Sequence, residues 1–296
     1  MLCLALAAGA LIGCQPTVAQ APTPTPAPPA ADATPTALPG PQTSSTPAPY
    51  TAATPPLVLA VPPPSPTIEA RPLPFTVPLE AVAFFEPGPG SQVTSPLHIT
   101  GFAGPSHEER LHLRLIGEDG QVLAEHTTFL LSSPGIAGRF AWDLPFHIDG
   151  VAERGRLIAT IDSLRDGQLS HLASIPLVLL SVGEPLLRST THGPEKLTLV
   201  SPRKGAVLRG GVVTVIGGGW TDSDLPLTIE VLDRSGSPIG SVQVPIDAPP
   251  GTSAIFQAEV HFRVDRLQVG RVSVSEHSPD LPGLVHVATV DVVLQP

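Results

Sequence analysis

Cysteine is almost missing from this chain. Its two Cys are Cys3 and Cys14, both at the very N-terminus. Everything beyond them therefore has no disulfide, no thiol nucleophile and no thiolate metal ligand. Basic residues are also scarce, at 16 Lys and Arg against 26 Asp and Glu, for a formal net charge of -10. A nucleic-acid partner would call for a basic stripe, and none is present. No amphipathic helical pattern of useful length appears, which points away from an α or α/β fold. Aromatic residues are only 4% of the chain, with two Trp, Trp142 and Trp220.

What stands at the N-terminus is a short apolar run ending in Leu11-Ile12-Gly13-Cys14. An aliphatic pair, Gly and Cys form a bacterial lipobox, in which the Cys is lipidated and becomes the first mature residue. The run before Cys14 is too short to span a bilayer, which takes about 20 residues, and it matches the apolar region of a secretory signal. No Lys or Arg precedes it, which points to a start upstream of Met1. The expectation is a signal peptide over 1–13, membrane attachment through lipidated Cys14, and a place in the cell envelope on the extracytoplasmic side.

Residues 14–79 are expected to form a disordered stalk rich in Pro, Thr and Ala. They hold just over half of the chain's 38 prolines. Proline lacks the N–H and fixes φ, so such a tract excludes helices and central strands. As a polyproline-like spacer it would reach about 200 Å at most. Its Thr-Pro and Ser-Pro pairs fit an O-glycosylated stalk and equally an unmodified linker.

From about residue 80 the composition shifts to alternating apolar and polar residues. The chain also aligns with itself. Leu97-His98-Ile99-Thr100-Gly101 meets Val213-Thr214-Val215-Ile216-Gly217, Leu111 to Leu115 meets Leu227 to Val231, and Phe140 to Asp149 meets Phe256 to Asp265. The expectation is an all-β chain of two tandem immunoglobulin-like β-sandwiches, over 80–181 and 196–296, joined by a linker over 182–195. In the first sandwich, strands are expected near 81–86, 97–102, 110–117, 121–130, 138–146, 156–163 and 169–180. Gly120 and Gly236 mark hairpin turns. Trp142 falls in an alternating apolar row and is expected in the core. Pro134, Pro176 and Pro245 are expected to blunt sheet edges.

The run Phe85-Glu86-Pro87-Gly88-Pro89-Gly90-Ser91-Gln92-Val93-Thr94-Ser95-Pro96-Leu97-His98-Ile99-Thr100-Gly101 resembles the opening of the immunoglobulin-like domain of bacterial spore germination proteins. Gly138-Arg139-Phe140 with Phe146, and Asp166-Gly167, resemble that family too. The second half is similar through Ser201-Pro202 and Gly205-Ala206-Val207. The resemblance implies the sandwich fold and placement on a bacterial lipoprotein. It implies no catalytic residue.

No local pattern marks chemistry. There is no Gly-x-Ser-x-Gly elbow, and Gly217-Gly218-Gly219 opens no helix. The ten His show no His-x-His or His-Glu-x-x-His spacing, so no metal set, cofactor or catalytic residue is expected. His171 and His286 occupy equivalent places and read as half-buried strand residues. Asp222 and Asp224 could contribute to a calcium loop, and Trp220, at a strand end, could contact a ligand such as a sugar ring. The expected function is binding, adhesion or scaffolding at the cell envelope, without catalysis. The alternatives are a carbohydrate- or cell-wall-binding module, or an accessory subunit of an envelope enzyme or transporter. The partner would be a protein or a wall glycan.

Overall fold

The computed structural model describes residues 73–296. The lipobox, Cys14 and the stalk up to residue 72 lie outside them. The described residues are almost entirely β, with one short 3-10 turn over His107–Glu109 and no α-helix.

The first half carries β1 (Val82–Glu86), β2 (Gln92–Thr94), β3 (Leu97–Ala103), β4 (Arg110–Ile116), β5 (Val122–Phe129), β6 (Gly138–Leu144), β7 (Ala152–Asp162) and β8 (Leu169–Leu180). The second half carries β9 (Leu197–Ser201), β10 (Val207–Leu208), β11 (Val212–Gly219), β12 (Leu227–Leu232), β13 (Pro238–Val244), β14 (Ala254–His261), β15 (Gln268–His277) and β16 (Leu284–Leu294). In each half a three-stranded sheet, β1-β3-β6 or β9-β11-β14, covers one face of a larger sheet. The larger sheet is shared. Its strands run β13-β12-β15-β16-β8-β7-β4-β5, with β10 beside β16 and β2 beside β8. Strand for strand, the halves follow one order.

Alternation builds the cores. Leu111, Leu113 and Leu115 of β4 are at most 1% exposed, as are Leu227, Ile229 and Val231 of β12. Successive side chains point to opposite faces, so three apolar residues at every second position suffice to bury one face. Phe140 and Phe256 sit at equivalent centres of the two cores. Each ring crosses close to a strand glycine. A Cβ on Gly101 would lie 2.4 Å from the Phe140 ring, and one on Gly217 would lie 2.2 Å from Phe256. The predicted hairpins form, with Gly120 at φ 83° and Gly236 at φ 81°.

The predicted strands recur with small shifts, and β2 is an addition. It has three residues and pairs in parallel with β8, too short to show alternation. Two expectations need correction. Trp142 is 38% exposed. Its strand β6 borders the small sheet, so its ring closes the margin of the sandwich and stacks on His126 of β5, with centroids 3.7 Å apart. Pro176 lies in the interior strand β8 and not at an edge. It sits where β8 changes neighbours from β16 to β2, and its carbonyl accepts from Gly90 N–H. Proline has no N–H to give, so at this position β8 offers only its carbonyl. Pro134 and Pro245 fall in loops.

Residues 182–195 are pinned along the first half. Gly88 N–H donates to the Arg188 carbonyl, Thr190 N–H to Phe85, and Gln92 pairs with Leu186.

Candidate functional site

The two halves join where β8 meets β16. Three antiparallel pairs make the seam: His286 with Ala173, Val287 with Leu172, and Ala288 with His171. Odd positions of β8 and even positions of β16 face the cores. His171 and His286 therefore project to the same side, diagonally across the seam. Their rings meet edge to face at 4.8 Å, and they are 4% and 2% exposed. The expectation of half-burial is corrected: the seam covers the face that each sandwich alone would leave open.

Two glutamates close over this pair from the start of the small sheets. Segments 78–81 and 193–196 run antiparallel, with Leu79 opposite Pro194. Glu80 N–H donates to the Gly193 carbonyl and Glu195 N–H to that of Pro78. Each carboxylate is then held by the other half. Ala81 N–H donates to Glu195 Oε2 at 2.9 Å, and Lys196 N–H to Glu80 Oε2 at 2.9 Å. The remaining oxygens face the imidazoles. His171 Nε2 lies 3.4 Å from Glu80 Oε1 and 3.6 Å from Glu195 Oε1. His286 Nε2 lies 2.8 Å from Glu195 Oε1, and its Nδ1 3.4 Å from Glu80 Oε1. Every contact has a counterpart under an approximate two-fold exchange, broken only in the setting of the His286 ring.

Burial and charge divide the protons. Burial lowers the His171 pKa, but the hydrogen bond to Glu80 and the charges of Glu195 and Glu80 outweigh it, and the value is raised. Burial, then the charge of His171, pulls His286 down to about 3. Burial pushes Glu195 up against His171 and the Ala81 and Leu197 N–H groups. One imidazole thus holds a proton and the other gives it up. His171 and Glu195 also line a cavity of about 790 Å³ between the halves, which gives the cluster a side toward open space.

The opposite face of the seam is polar and follows the same exchange. Ser174 Oγ donates to the Val285 carbonyl at 2.7 Å and Thr289 Oγ1 to that of Ser170 at 2.8 Å. Arg156 bridges Ser174 and Ser278, and Arg271 bridges Asp291 and Asp166. Two hollows, of about 520 and 940 Å³, lie on this face and share Leu169 and Leu284 in their linings.

The sequence-predicted contact residues stand apart from the cluster. Trp220 follows β11 and is half-buried, its N–H donating to the Lys196 carbonyl. Asp222 is engaged by Lys196 Nζ at 2.6 Å, and the same ammonium lies 2.8 Å from the buried Glu276. Asp224 is exposed, and nothing draws it to Asp222. Among the described residues, the group whose donor atoms converge is Glu80, His171, Glu195 and His286. Cys14 lies outside them. Of the surface aromatics, Trp142 offers more ring than Trp220, with His98 and Asp143 beside it.

Comparison with known proteins bears on the first half. Residues 81–168 match the immunoglobulin-like domain of bacterial spore germination. No curated protein matches the chain in sequence. Among solved structures, a red sea bream transglutaminase is similar at 12% identity over 72% of this chain, with a TM-score of 0.25. This chain spans 31% of that enzyme's length. A chimeric titin Z1Z2 is 17% identical over 75% of this chain and all of its own, with a TM-score of 0.19. The N-terminal Ig1-2 module of the Drosophila receptor protein tyrosine phosphatase DLAR is 10% identical over 74% of this chain and all of its own, with a TM-score of 0.20. At these TM-scores the three give no residue correspondence.

The matched residues end just before β8 and begin after Glu80, so the family match leaves all four of Glu80, His171, Glu195 and His286 outside it. The sequence did hold one signal of the cluster, the equivalent placing of His171 and His286. The same spacing relates Glu80 to Glu195, but both precede the first strand of their half and lie far from the histidines in sequence. Only the sheet pairing brings the four together.

Proposed function

We propose that the chain is a bacterial lipoprotein, anchored to the envelope through Cys14, whose two immunoglobulin-like sandwiches form one binding or scaffolding body on the extracytoplasmic side. In this reading the second sandwich is a duplicate of the first, held beside it by the shared sheet. The observation that carries the binding role is the continuous ten-stranded sheet, whose outer face spans both halves and bears two adjoining hollows. Concave surfaces that meet at a seam are where ligands settle on multi-domain proteins. Catalysis is not part of the proposal. The anchor is tested by labelled palmitate in cells expressing the chain. Label on the wild type and none on Cys14→Ala, with release of that variant from the membrane, is the expected result. Label that survives the substitution overturns it.

A second reading, a cell-wall glycan binder, rests on Trp142, whose exposed ring is stacked and held flat by His126. Flat, rigid aromatic faces suit sugar rings. Co-sedimentation with purified wall polymer should fall on Trp142→Ala and persist on Trp220→Ala. Equal binding by the wild type and Trp142→Ala removes this reading.

A further inference from the structure

We propose that Glu80, His171, Glu195 and His286 bind one divalent transition-metal ion, zinc by preference, as a structural clip across the seam. Two ligands come from each half, so the ion joins them.

Geometry is the first argument. One donor atom from each residue lies within 4.8 Å of all the others. Bonds of about 2.0–2.2 Å to a tetrahedral zinc place neighbouring ligand atoms about 3.4 Å apart. The His171 contacts to Glu80 and Glu195, and the Glu80 contact to His286, are 3.4, 3.6 and 3.4 Å. The ligand cage is therefore nearly the right size before any ion enters. The exception is His286, whose ring points Nε2 at Glu195 and Nδ1 at Glu80. It must turn about its last torsion to present one nitrogen, a soft motion for an sp³–sp² bond.

The carboxylates are also set as ligands are. In each, Oε2 is fixed by a backbone N–H from the opposite half, and Oε1 is turned to the imidazoles. Outer hydrogen bonds that fix one oxygen and free the other are the usual support of a metal site.

Charge is the third argument. Two carboxylates are enclosed with two imidazoles in a space where isolated charge is costly. The nearest ammonium, on Lys196, is committed to Asp222 and Glu276. A divalent cation balances the two carboxylates and leaves both imidazoles neutral, the form that binds metal.

The donor set selects the ion. Calcium takes six to eight oxygens, and soft ions ask for sulfur. Two imidazoles and two carboxylates in a four-fold set suit zinc. Four protein ligands leave no open position, which assigns the site to structure and not to a bound reactive water.

The test uses the full chain, stripped with chelator and titrated with zinc alone by calorimetry, with cobalt as a spectroscopic substitute. One equivalent should bind, the melting temperature should rise, and cobalt should give the strong visible bands of a tetrahedral site. His171→Ala and His286→Ala should each weaken binding by more than about 100-fold. Glu80→Gln and Glu195→Gln keep the shape and the backbone hydrogen bond, and should weaken it as well. A folded, stripped chain that takes up no zinc overturns the proposal, and so does one-equivalent binding that survives the double His171→Ala, His286→Ala change. If the His variants fail to fold, imidazole nitrogen signals of the wild type decide. Zinc must shift those of two histidines, and a titration that moves none of them sinks the site.

Discussion

Gly101 and Gly217 lie tight against the central Phe rings of the two cores. A methyl at either position would press on a central Phe ring and on a backbone carbonyl, at 2.5 Å or less. Backbone cannot retreat as a flexible side chain can, so Gly101→Ala and Gly217→Ala should each cost about 1–3 kcal/mol in denaturant unfolding. Charge at the seam makes a second prediction. Burial raises the Asp166 pKa, but hydrogen bonds from Arg271, the Gln168 N–H and Arg165 outweigh it and hold it below the usual carboxylate range. Arg165, Arg271 and Asp291 are the charged groups around it. A folded value below the unfolded one of about 3.9 means a contribution complete above that pH and lost as pH falls through the folded value. Melting temperature should therefore drop below about pH 4, and Asp166→Asn should flatten part of that drop. Arg271 is 3% exposed on its side chain and faces two carboxylates. Arg271→Met should cost about 3 kcal/mol at neutral pH, because it leaves those charges enclosed without a partner; equilibrium unfolding reads this directly.

The strands show how far sequence reaches and where it stops. Alternation in Leu111-His112-Leu113-Arg114-Leu115 located β4 and its inner face, since a single strand's burial is written in its own residues. The end of β7 was placed well and its start was not, because Ala152, Glu153 and Arg154 are too polar to read as strand. Trp142 misled for another reason. Its parity is that of the core residues Phe140 and Leu144, but β6 lies at the border of its sheet, and parity does not report distance from an edge. The seam was illegible for the same cause at a longer range. No local pattern says that β8 continues into β16, and without that pairing His171 and Glu195 have no reason to meet. Ser174 and Thr289 test the seam as an element. Each crosses it once, to the carbonyls of Val285 and Ser170. Ser174→Ala should cost about 2 kcal/mol, since it also takes an acceptor from Arg156, and Thr289→Val about 1 kcal/mol, with the double change near the sum, because each orphans a carbonyl across the seam. A smaller combined loss, measured in the same chain by denaturant, would show that the seam relaxes around them.

At the scale of the whole molecule, the shared sheet leaves neither sandwich with a free edge at β8 or β16. It also ties unfolding of one half to the other, so the wild type should melt in a single step, and calorimetry should resolve two steps once the seam is weakened. The approximate two-fold exchange has a further consequence. The first half already carries one complete set of the groups that meet at the seam: Glu80 with Ala81, His171 with Leu172, and Ser170 with Ser174. A protein built this way is a symmetric dimer written in one chain. Residues 73–181 produced alone should thus pair with a second molecule of themselves, β8 against β8, at the register that β16 now occupies. Light scattering would report a dimer, and a change such as Leu172→Lys at the centre of the strand pair should return it to a monomer. Fusing the partners removes the concentration dependence of that association, so the two outer hollows stay side by side however dilute the protein is.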